Sequence, residues 1–249
     1  MRVVLITGAS SGIGLATAKK LAGLGFNLIL CGRNEKRLFE LKNSLSNLTS
    51  VVCLVFDVRN KNEVFKQINS LDKKWRDIDV LINNAGNAHG KDLLVDDEVE
   101  NWDTMIDGNV KGLLYVSKTV IPRMIKRKKG HIINISSIAG KETYEGGVVY
   151  CASKKSVESI SEGMRIELTK HKIKVSNVAP GAVETNFSKT RFKGDVKKYS
   201  DVYRGYEALV ADDVADLISY IVNCPERVNI ADVTIFPKAQ SSAAVIHKS

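Results

Sequence analysis

Short apolar runs alternate with longer amphipathic stretches along the whole chain. The apolar runs are rich in Val, Ile and Leu, which is typical of strands buried on both faces of a parallel sheet. They predict seven strands, at residues 3–6, 27–31, 51–56, 80–82, 131–135, 174–177 and 233–236. The intervening stretches predict helices at residues 12–24, 35–45, 61–73, 102–126, 149–171 and 211–222.

This alternation predicts a single α/β domain over residues 1–249, with a doubly wound, Rossmann-type sheet of about seven parallel strands and helices on both faces. A polar segment near residues 187–205 interrupts the rhythm. Long insertions of this kind are often lids or binding loops, so we expect a lid-like substrate segment here. A solvated surface loop is the alternative.

The composition argues against a membrane protein, a secreted protein and a metal-binding protein. No apolar run approaches the roughly 20 residues of a membrane helix, and the apolar stretch near the N-terminus is too short for a signal peptide. We therefore expect a cytoplasmic protein without a membrane partner. The four cysteines and four histidines have no metal-ligand spacing, so we expect reduced thiols and no metal site.

The net charge of +9 raises the question of an anionic partner. The densest basic run, Lys126 to Lys129, precedes Gly130 at the predicted end of a helix, where cations are favourable. No basic stripe with interleaved aromatic residues is present, so nucleic-acid binding is not expected.

A glycine-rich turn follows the first predicted strand and opens the first helix. Its glycines are Gly8, Gly12 and Gly14, in a G-x-x-x-G-x-G spacing that varies the usual dinucleotide turn. Glycines let backbone N–H groups approach a pyrophosphate at a helix N-terminus. We therefore predict cofactor contacts across this turn, from Gly8, Ser10, Ser11, Gly12, Ile13 and Gly14.

The ends of the next strands indicate which dinucleotide is bound. No acidic residue ends the second strand, where an acid would accept from the ribose 2′-OH of NAD; Arg33 and Asn34 stand there instead. An arginine accommodates a 2′-phosphate, so Arg33 favours NADP. Further cofactor contacts are predicted at the ends of the third and fourth strands, at Asp57, Val58, Asn84, Ala85 and Gly86.

Tyr150 and Lys154 stand four residues apart in a predicted helix, with Ser137 thirteen residues before the tyrosine. Residues i and i+4 share a helix face, so the ammonium lies close to the phenol. A nearby positive charge favours the phenolate, and we expect the pKa of Tyr150 to lie below its usual value of about 10. Such a phenol would exchange a proton near neutral pH, as carbonyl–alcohol interconversion requires.

Together these motifs resemble the short-chain dehydrogenase/reductase family over essentially the whole chain. The matching elements are the Gly8 to Gly14 turn, Asn84-Ala85-Gly86, Asn109, Ser137, Tyr150 with Lys154, and Pro180-Gly181. The segments 100–107, 130–135, 191–195 and 228–230 resemble the NADP-dependent 3-hydroxy acid dehydrogenases within it. Asn34 departs from the pattern, because these relatives often carry a second basic residue there.

The resemblance implies a role for each matching residue. Tyr150 would exchange the proton, Ser137 would position the reacting oxygen, Lys154 would hold the nicotinamide ribose, and Asn109 would hold a water that links Lys154 to solvent. The carboxamide of the nicotinamide would be contacted by Pro180, Gly181, Val183 and Thr185. The family is commonly tetrameric, so a homotetramer is implied as well.

Three functions stay open at the level of sequence. One is an NADP-linked dehydrogenase of small 3-hydroxy acids such as serine, allo-threonine or 3-hydroxypropionate, or of a carbonyl form such as malonic semialdehyde. Its substrate would contact Ser137, Tyr150 and a cation, for which Arg191 or Lys193 is the candidate. The second is a 3-ketoacyl-carrier-protein reductase or a general carbonyl reductase. The third is an NADP-binding sensor without turnover.

Overall fold

The computed structural model describes residues 2–248. Its strands are β1 (Val3–Thr7), β2 (Asn27–Gly32), β3 (Val51–Val55), β4 (Val80–Asn83), β5 (Gly130–Ile135), β6 (Ile173–Pro180), β7 (Val183–Glu184), β8 (Leu209–Val210) and β9 (Asp232–Ile235). Seven of them form one parallel sheet in the order β3-β2-β1-β4-β5-β6-β9, and β7 pairs with β8. The predicted seven-stranded parallel sheet is confirmed.

The helices are α1 (Gly12–Gly23), α2 (Glu35–Leu45), α3 (Lys61–Asn69), α4 (Val99–Ile106), α5 (Leu113–Arg127), α6 (Val148–Leu168), α7 (Asn186–Arg191), α8 (Val196–Asp201) and α9 (Ala211–Asn223). A π-helical turn, Asp107–Gly112, joins α4 to α5. No helix within residues 2–248 is long and apolar enough to cross a membrane.

Two hydrophobic layers cover the two faces of the sheet. Along β1, Val4 and Ile6 face one layer with α1, α2 and α9, whereas Leu5 faces the other with α3 and α5. This alternation follows from the period of two in a strand. Both faces are apolar because helices cover both, which explains why the strands read as continuous apolar runs.

Two predicted helices differ from those observed. The stretch 102–126 is divided by the π-helical turn, and the helix predicted at 61–73 ends at Asn69. Segment 187–205 contains most of α7 and all of α8, so it is largely helical. Periodicity does not reveal a π turn, because the apolar face continues across it.

Strands are added to the sheet first on one side of β1 and then on the other, so β1 and β4 border a topological switch point. Strands β2 and β3 lie on one side of β1, and β4, β5, β6 and β9 lie on the other. In open α/β sheets, ligands bind beyond the carboxyl ends of the strands at such a switch point. The fold therefore places the candidate site at this edge.

Candidate active site

A cleft of about 1430 Å³ opens at the carboxyl ends of the strands. All predicted site residues line it except Gly14 and Asn109, which lie behind its wall. Segments far apart in sequence thus meet at one cleft, as the order of the strands requires.

The glycine-rich turn has the geometry that a pyrophosphate needs. Gly8 and Gly12 have φ of 66° and 51°, and a Cβ on Gly14 would lie 2.4 Å from Gly8 O. Asn84 Nδ2 donates hydrogen bonds to Thr7 O at 2.9 Å and to Gly8 O at 3.3 Å, which fixes the turn against β4. The turn leads into the N-terminus of α1 at the cleft, so these residues fit a dinucleotide phosphate.

Arginines surround Asp57 at the end of the cleft beyond β2 and β3. Arg33 Nη1 lies 3.7 Å from Asp57 Oδ2, and Arg59 Nη2 lies 2.7 Å from the same oxygen. Although burial acts to raise it, the hydrogen bonds and charge of Arg59 and the charge of Arg33 hold the pKa of Asp57 below its usual value. The Arg33 side chain is 60% exposed, so its guanidinium is free to meet a phosphate.

Asn34 and Arg59 also line this end of the cleft. Asn34 accepts a hydrogen bond from Arg37 N at 3.0 Å and thereby caps α2. Arg59 was missed by the sequence analysis. Its position two residues after Asp57 is the only sequence signal that points to it.

Tyr150 and Lys154 lie one helical turn apart near the start of α6, and both side chains are buried. Lys154 Nζ lies 6.0 Å from the centroid of the Tyr150 ring and donates a hydrogen bond to Ile135 O at 3.0 Å. Ser137, just beyond β5, has its hydroxyl within hydrogen-bonding reach of the Tyr150 phenol. The structure therefore brings the three predicted catalytic side chains together.

The protonation of Tyr150 differs from the expectation. Burial raises its pKa, the Tyr144 phenol adds to the rise, and the hydrogen bond with Ser137 and the charge of Arg191 oppose only part of it. Burial also lowers the pKa of Lys154 to about 8. The prediction of a lowered tyrosine pKa is wrong, because the cost of burying a phenolate exceeds the gain from the charges around it.

The structure distinguishes Ser137 from its neighbour Ser136. Ser137 Oγ accepts a hydrogen bond from Ala139 N at 3.2 Å and donates one to Pro180 O at 3.5 Å. Ser136 Oγ instead donates to Lys154 O at 3.3 Å. Of the two serine hydroxyls, only that of Ser137 interacts with the Tyr150 phenol.

Asn109 lies in the π-helical turn with its side chain almost fully buried. Its Oδ1 accepts from Asn87 N at 2.8 Å, and its Nδ2 donates to Asn87 O at 2.8 Å and to Ser153 Oγ at 2.9 Å. A Cβ on Gly86 would lie 2.9 Å from Asn109 Oδ1 and 3.3 Å from Lys154 Nζ. Asn109 thus holds the strand end beside Lys154 from behind the cleft.

The segment after β6 closes the side of the cleft opposite α1. Ala182 N donates to Gln240 Oε1 at 2.8 Å, and a Cβ on Gly181 would lie 2.4 Å from the same oxygen. Thr185 accepts from Phe187 N at 3.2 Å and caps α7. A Cβ on Gly12 would lie 3.5 Å from Thr185, so this segment faces the glycine-rich turn.

Arg191, at the end of α7, extends over the Tyr150 ring. Its guanidinium lies 5.7 Å from the centroid of the Tyr150 ring, and its Nη2 is buried without a hydrogen-bond partner among residues 2–248. Lys193, the other candidate cation, is 56% exposed and pairs with Glu98 Oε2 at 2.5 Å. The structure therefore favours Arg191 as the cation of the site.

Two residues that contact Arg191 were not predicted. Tyr144 Oη accepts from Arg191 Nη1 at 3.0 Å, and Gly90 O accepts from Arg191 Nε at 2.8 Å. Both lie in loops that contain glycines, outside the helices and strands. No motif spacing links them to Arg191 in the sequence.

Comparison with known proteins agrees with this geometry. The family model described as short chain dehydrogenase matches residues 2–196. An NADP-dependent 3-hydroxy acid dehydrogenase of Salmonella typhi is 41% identical over 249 residues, covering 99% of this chain and 100% of the relative. A protein of the same description from Schizosaccharomyces pombe is 39% identical over 250 residues, covering 99% and 96%.

A solved structure extends the likeness to the fold. The closed form of a serine dehydrogenase complexed with NADP+ has a TM-score of 0.93 at 39% identity, covering 99% of this chain and 100% of that chain. The sequence matches span both the glycine-rich turn and the segment that carries Arg191. On these grounds the chain belongs to the short-chain dehydrogenase family.

Proposed function

We propose that this protein transfers a hydride reversibly between NADP(H) and a small 3-hydroxy acid or its carbonyl form. The reaction class and the cofactor follow from the family and its NADP-dependent relatives: the protein is an NADP-dependent oxidoreductase acting on CH–OH groups. The proposed substrates are of the serine, allo-threonine and 3-hydroxypropionate/malonic semialdehyde type.

One observation carries the substrate class. The buried Nη2 of Arg191 has no hydrogen-bond partner among residues 2–248, and its guanidinium lies over Tyr150. A buried guanidinium N–H without an acceptor is costly, and a carboxylate is the acceptor whose geometry and charge it matches. A carboxylate bound there would lie next to the group that exchanges the proton.

The chain's own residues would perform the proton chemistry. Tyr150 would give its proton to the carbonyl oxygen in reduction and take one from the alcohol in oxidation, and its raised pKa keeps the phenol in the protonated form from which reduction starts. Ser137 would hydrogen-bond and orient that oxygen. Lys154, whose pKa is about 8, would exchange protons near neutral pH, and Asn109 would keep the adjoining strand end in place.

The cofactor would bind along the same cleft. The turn from Gly8 to Gly14 would hold its pyrophosphate, and Arg33 would hold the 2′-phosphate. The nicotinamide end would lie near Pro180, Gly181, Val183 and Thr185. When bound, the nicotinamide supplies or accepts the hydride, and the protein contributes orientation and electrostatics.

We also propose a role for segment 187–205, a cellular location and an oligomeric state. Segment 187–205 carries Arg191 into the site on α7, which supports a role as a lid-like substrate segment. The four free cysteines are consistent with a reducing, cytoplasmic location. A homotetramer is proposed from the family resemblance alone.

A panel of substrates tests the proposal. L-Serine, L-allo-threonine, 3-hydroxypropionate, 3-hydroxyisobutyrate and simple neutral alcohols would be supplied with NADP or NAD, and absorbance of the reduced nicotinamide would be followed. We expect turnover of the acids with NADP and much weaker turnover of neutral alcohols. Preference for a carrier-linked ketoacyl substrate, or binding of NADP without turnover of any compound, would contradict the proposal.

A further inference from the structure

We propose that the hydroxyl of Tyr144 is a second specificity-determining donor, which acts together with Arg191 to bind the substrate's carboxylate. The inference rests on the proposed function, because it names the pair of groups that recognises the acid. Tyr144 lies six residues before the catalytic Tyr150, outside the motifs identified from sequence.

Two hydrogen bonds hold the side chain of Arg191 in place. Its Nε donates to Gly90 O at 2.8 Å and its Nη1 donates to Tyr144 Oη at 3.0 Å. These two bonds fix the plane of the guanidinium. They leave Nη2 buried without an acceptor among the described residues, so its N–H groups are unpaired, and Arg191 lines the cleft in which an anion would bind.

The Tyr144 hydroxyl keeps a proton that it can donate. In its bond with Arg191 the phenol is the acceptor, so its own O–H remains free to donate. No hydrogen bond donated by this hydroxyl is present in the described part of the chain. Burial raises the pKa of Tyr144 although Arg191 opposes the change, so the hydroxyl keeps its proton at neutral pH.

The Tyr144 ring and the Arg191 guanidinium are packed against their neighbours. A Cβ on Gly147 would lie 2.3 Å from Tyr144 Cε2, so the tyrosine ring rests against bare backbone. The guanidinium lies 5.6 Å from the centroid of that ring and 5.7 Å from the centroid of the Tyr150 ring. The two donors are therefore held in place beside the catalytic phenol.

Two neighbouring donors match the two oxygens of one carboxylate. Arg191 Nη2 would donate to one oxygen and Tyr144 Oη to the other, and both bonds would be charge-assisted. An ester or a neutral alcohol offers no anionic acceptor and would leave both donors poorly paired. The pair would thus select acids over uncharged compounds of the same size.

Tyr144→Phe tests the hydroxyl, because it keeps the ring and removes only the donor. We expect the KM for 3-hydroxypropionate to rise about ten- to hundredfold with kcat changed less than about threefold. The KM for the methyl ester of the same acid should stay unchanged. Tyr220→Phe, on the exposed face of α9, is the matched control and should leave both substrates unaffected.

A double-mutant cycle separates direct contact from positioning of Arg191. If the hydroxyl contacts the carboxylate, Tyr144→Phe should still raise the KM of the acid at least about threefold in an Arg191→Ala background. No further rise in that background would overturn the direct contact. Melting temperature and NADP affinity, measured on every variant, report whether the fold and the cofactor site are retained.

The outcomes also separate this inference from the function on which it rests. An unchanged KM for the acid in Tyr144→Phe would reject the inference while wild-type turnover of acids upholds the function. Equal losses on acid and ester would reject it too, because they indicate general damage to the site. Wild-type enzyme that turns over esters and alcohols as well as it turns over acids would overturn the proposed substrate class itself.

Discussion

Gly90 and Arg191 hold each other through two reciprocal hydrogen bonds. Gly90 N donates to Arg191 O at 2.9 Å, and Arg191 Nε donates to Gly90 O at 2.8 Å. One glycine thus binds both the backbone and the side chain of a residue 101 positions away. This contact attaches the end of α7 to the loop after β4 and sets the direction of the guanidinium.

Replacing Gly90 should loosen Arg191. Gly90 has φ of 69°, and an added Cβ would lie 3.1 Å from Asp97 Oδ1, so Gly90→Ala introduces backbone strain of about 1–2 kcal/mol. We expect the KM for 3-hydroxy acids to rise several-fold, measured by steady-state kinetics. Gly25→Ala is the matched control, since Gly25 has φ of 78° with no atom within 4 Å of an added Cβ. Equal KM values in both variants would refute the role of the contact.

Removing the hydroxyl of Tyr150 should abolish most of the catalytic activity while leaving the cofactor site intact. General acid–base groups contribute about 10²–10⁴-fold, so we expect Tyr150→Phe to lower kcat by that factor. The dissociation constant for NADPH, followed by fluorescence, should change little, because the glycine-rich turn and Arg33 are untouched. Retention of more than a tenth of the wild-type kcat would argue against Tyr150 as the proton donor.

Arg33 should control the choice between the two dinucleotides. Its guanidinium is largely exposed and only 3.7 Å from Asp57, so Arg33→Ala removes a cation without disturbing the core. Loss of one charge-assisted contact should raise the Kd for NADP about tenfold or more, with little change for NAD. Lys36→Ala, on the exposed face of α2, is the control. Equal effects of Arg33→Ala on both dinucleotides would exclude recognition of the 2′-phosphate by Arg33.

His131 should make stability depend on pH below neutrality. It is buried on β5 with Nε2 2.8 Å from Ser176 Oγ, and burial lowers its pKa to about 3, with the charges of Lys174 and Arg2 adding to the shift. In the unfolded chain its pKa is about 6.5, so protonation favours unfolding as pH falls from about 6.5 toward 3. The contribution is fully present above pH 6.5, and about 2 kcal/mol of it should be lost between pH 7.5 and pH 5.

Urea unfolding at the two pH values checks this expectation. His131→Gln should lose less stability than the wild type over the same interval, whatever its absolute stability. His247→Gln, at an exposed position, should retain the wild-type dependence. If wild type and His131→Gln lose the same free energy of unfolding, the buried imidazole is not the source of the pH dependence.

The fold was predictable because the local pattern of apolar residues matches the burial that the tertiary structure gives them. The apolar runs of β1 to β6 and β9 could be buried only between two layers of helices, so the alternation of elements indicated the sheet. The π-helical turn at Asp107–Gly112 was not predictable, since its apolar face continues into α5. The helices α7 and α8 were missed because each is only six residues long and carries many polar side chains.

The residues of the candidate site likewise fall into those that local spacing predicts and those that only the tertiary structure brings together. Residues at fixed spacing, such as Tyr150 with Lys154 or Gly8 with Gly12, were identified because one turn of helix or one strand-to-helix turn brings them together. Arg59 and Tyr144 were missed because neither belongs to a motif whose spacing marks it as a partner of the site. Tyr144 is 47 residues from Arg191, and only folding brings the two together.

The sequence by itself determined the class of fold, the family and the candidate groups for proton exchange, because these depend on local periodicity and on fixed motif spacing. Only the tertiary structure decided their protonation and their partners. The pKa of Tyr150 is raised because packing buries the phenol more completely than nearby charge can offset. Likewise, Arg191 became the candidate for the carboxylate, ahead of Lys193, because contacts from distant segments fix one cation in the cleft while Glu98 pairs with the other.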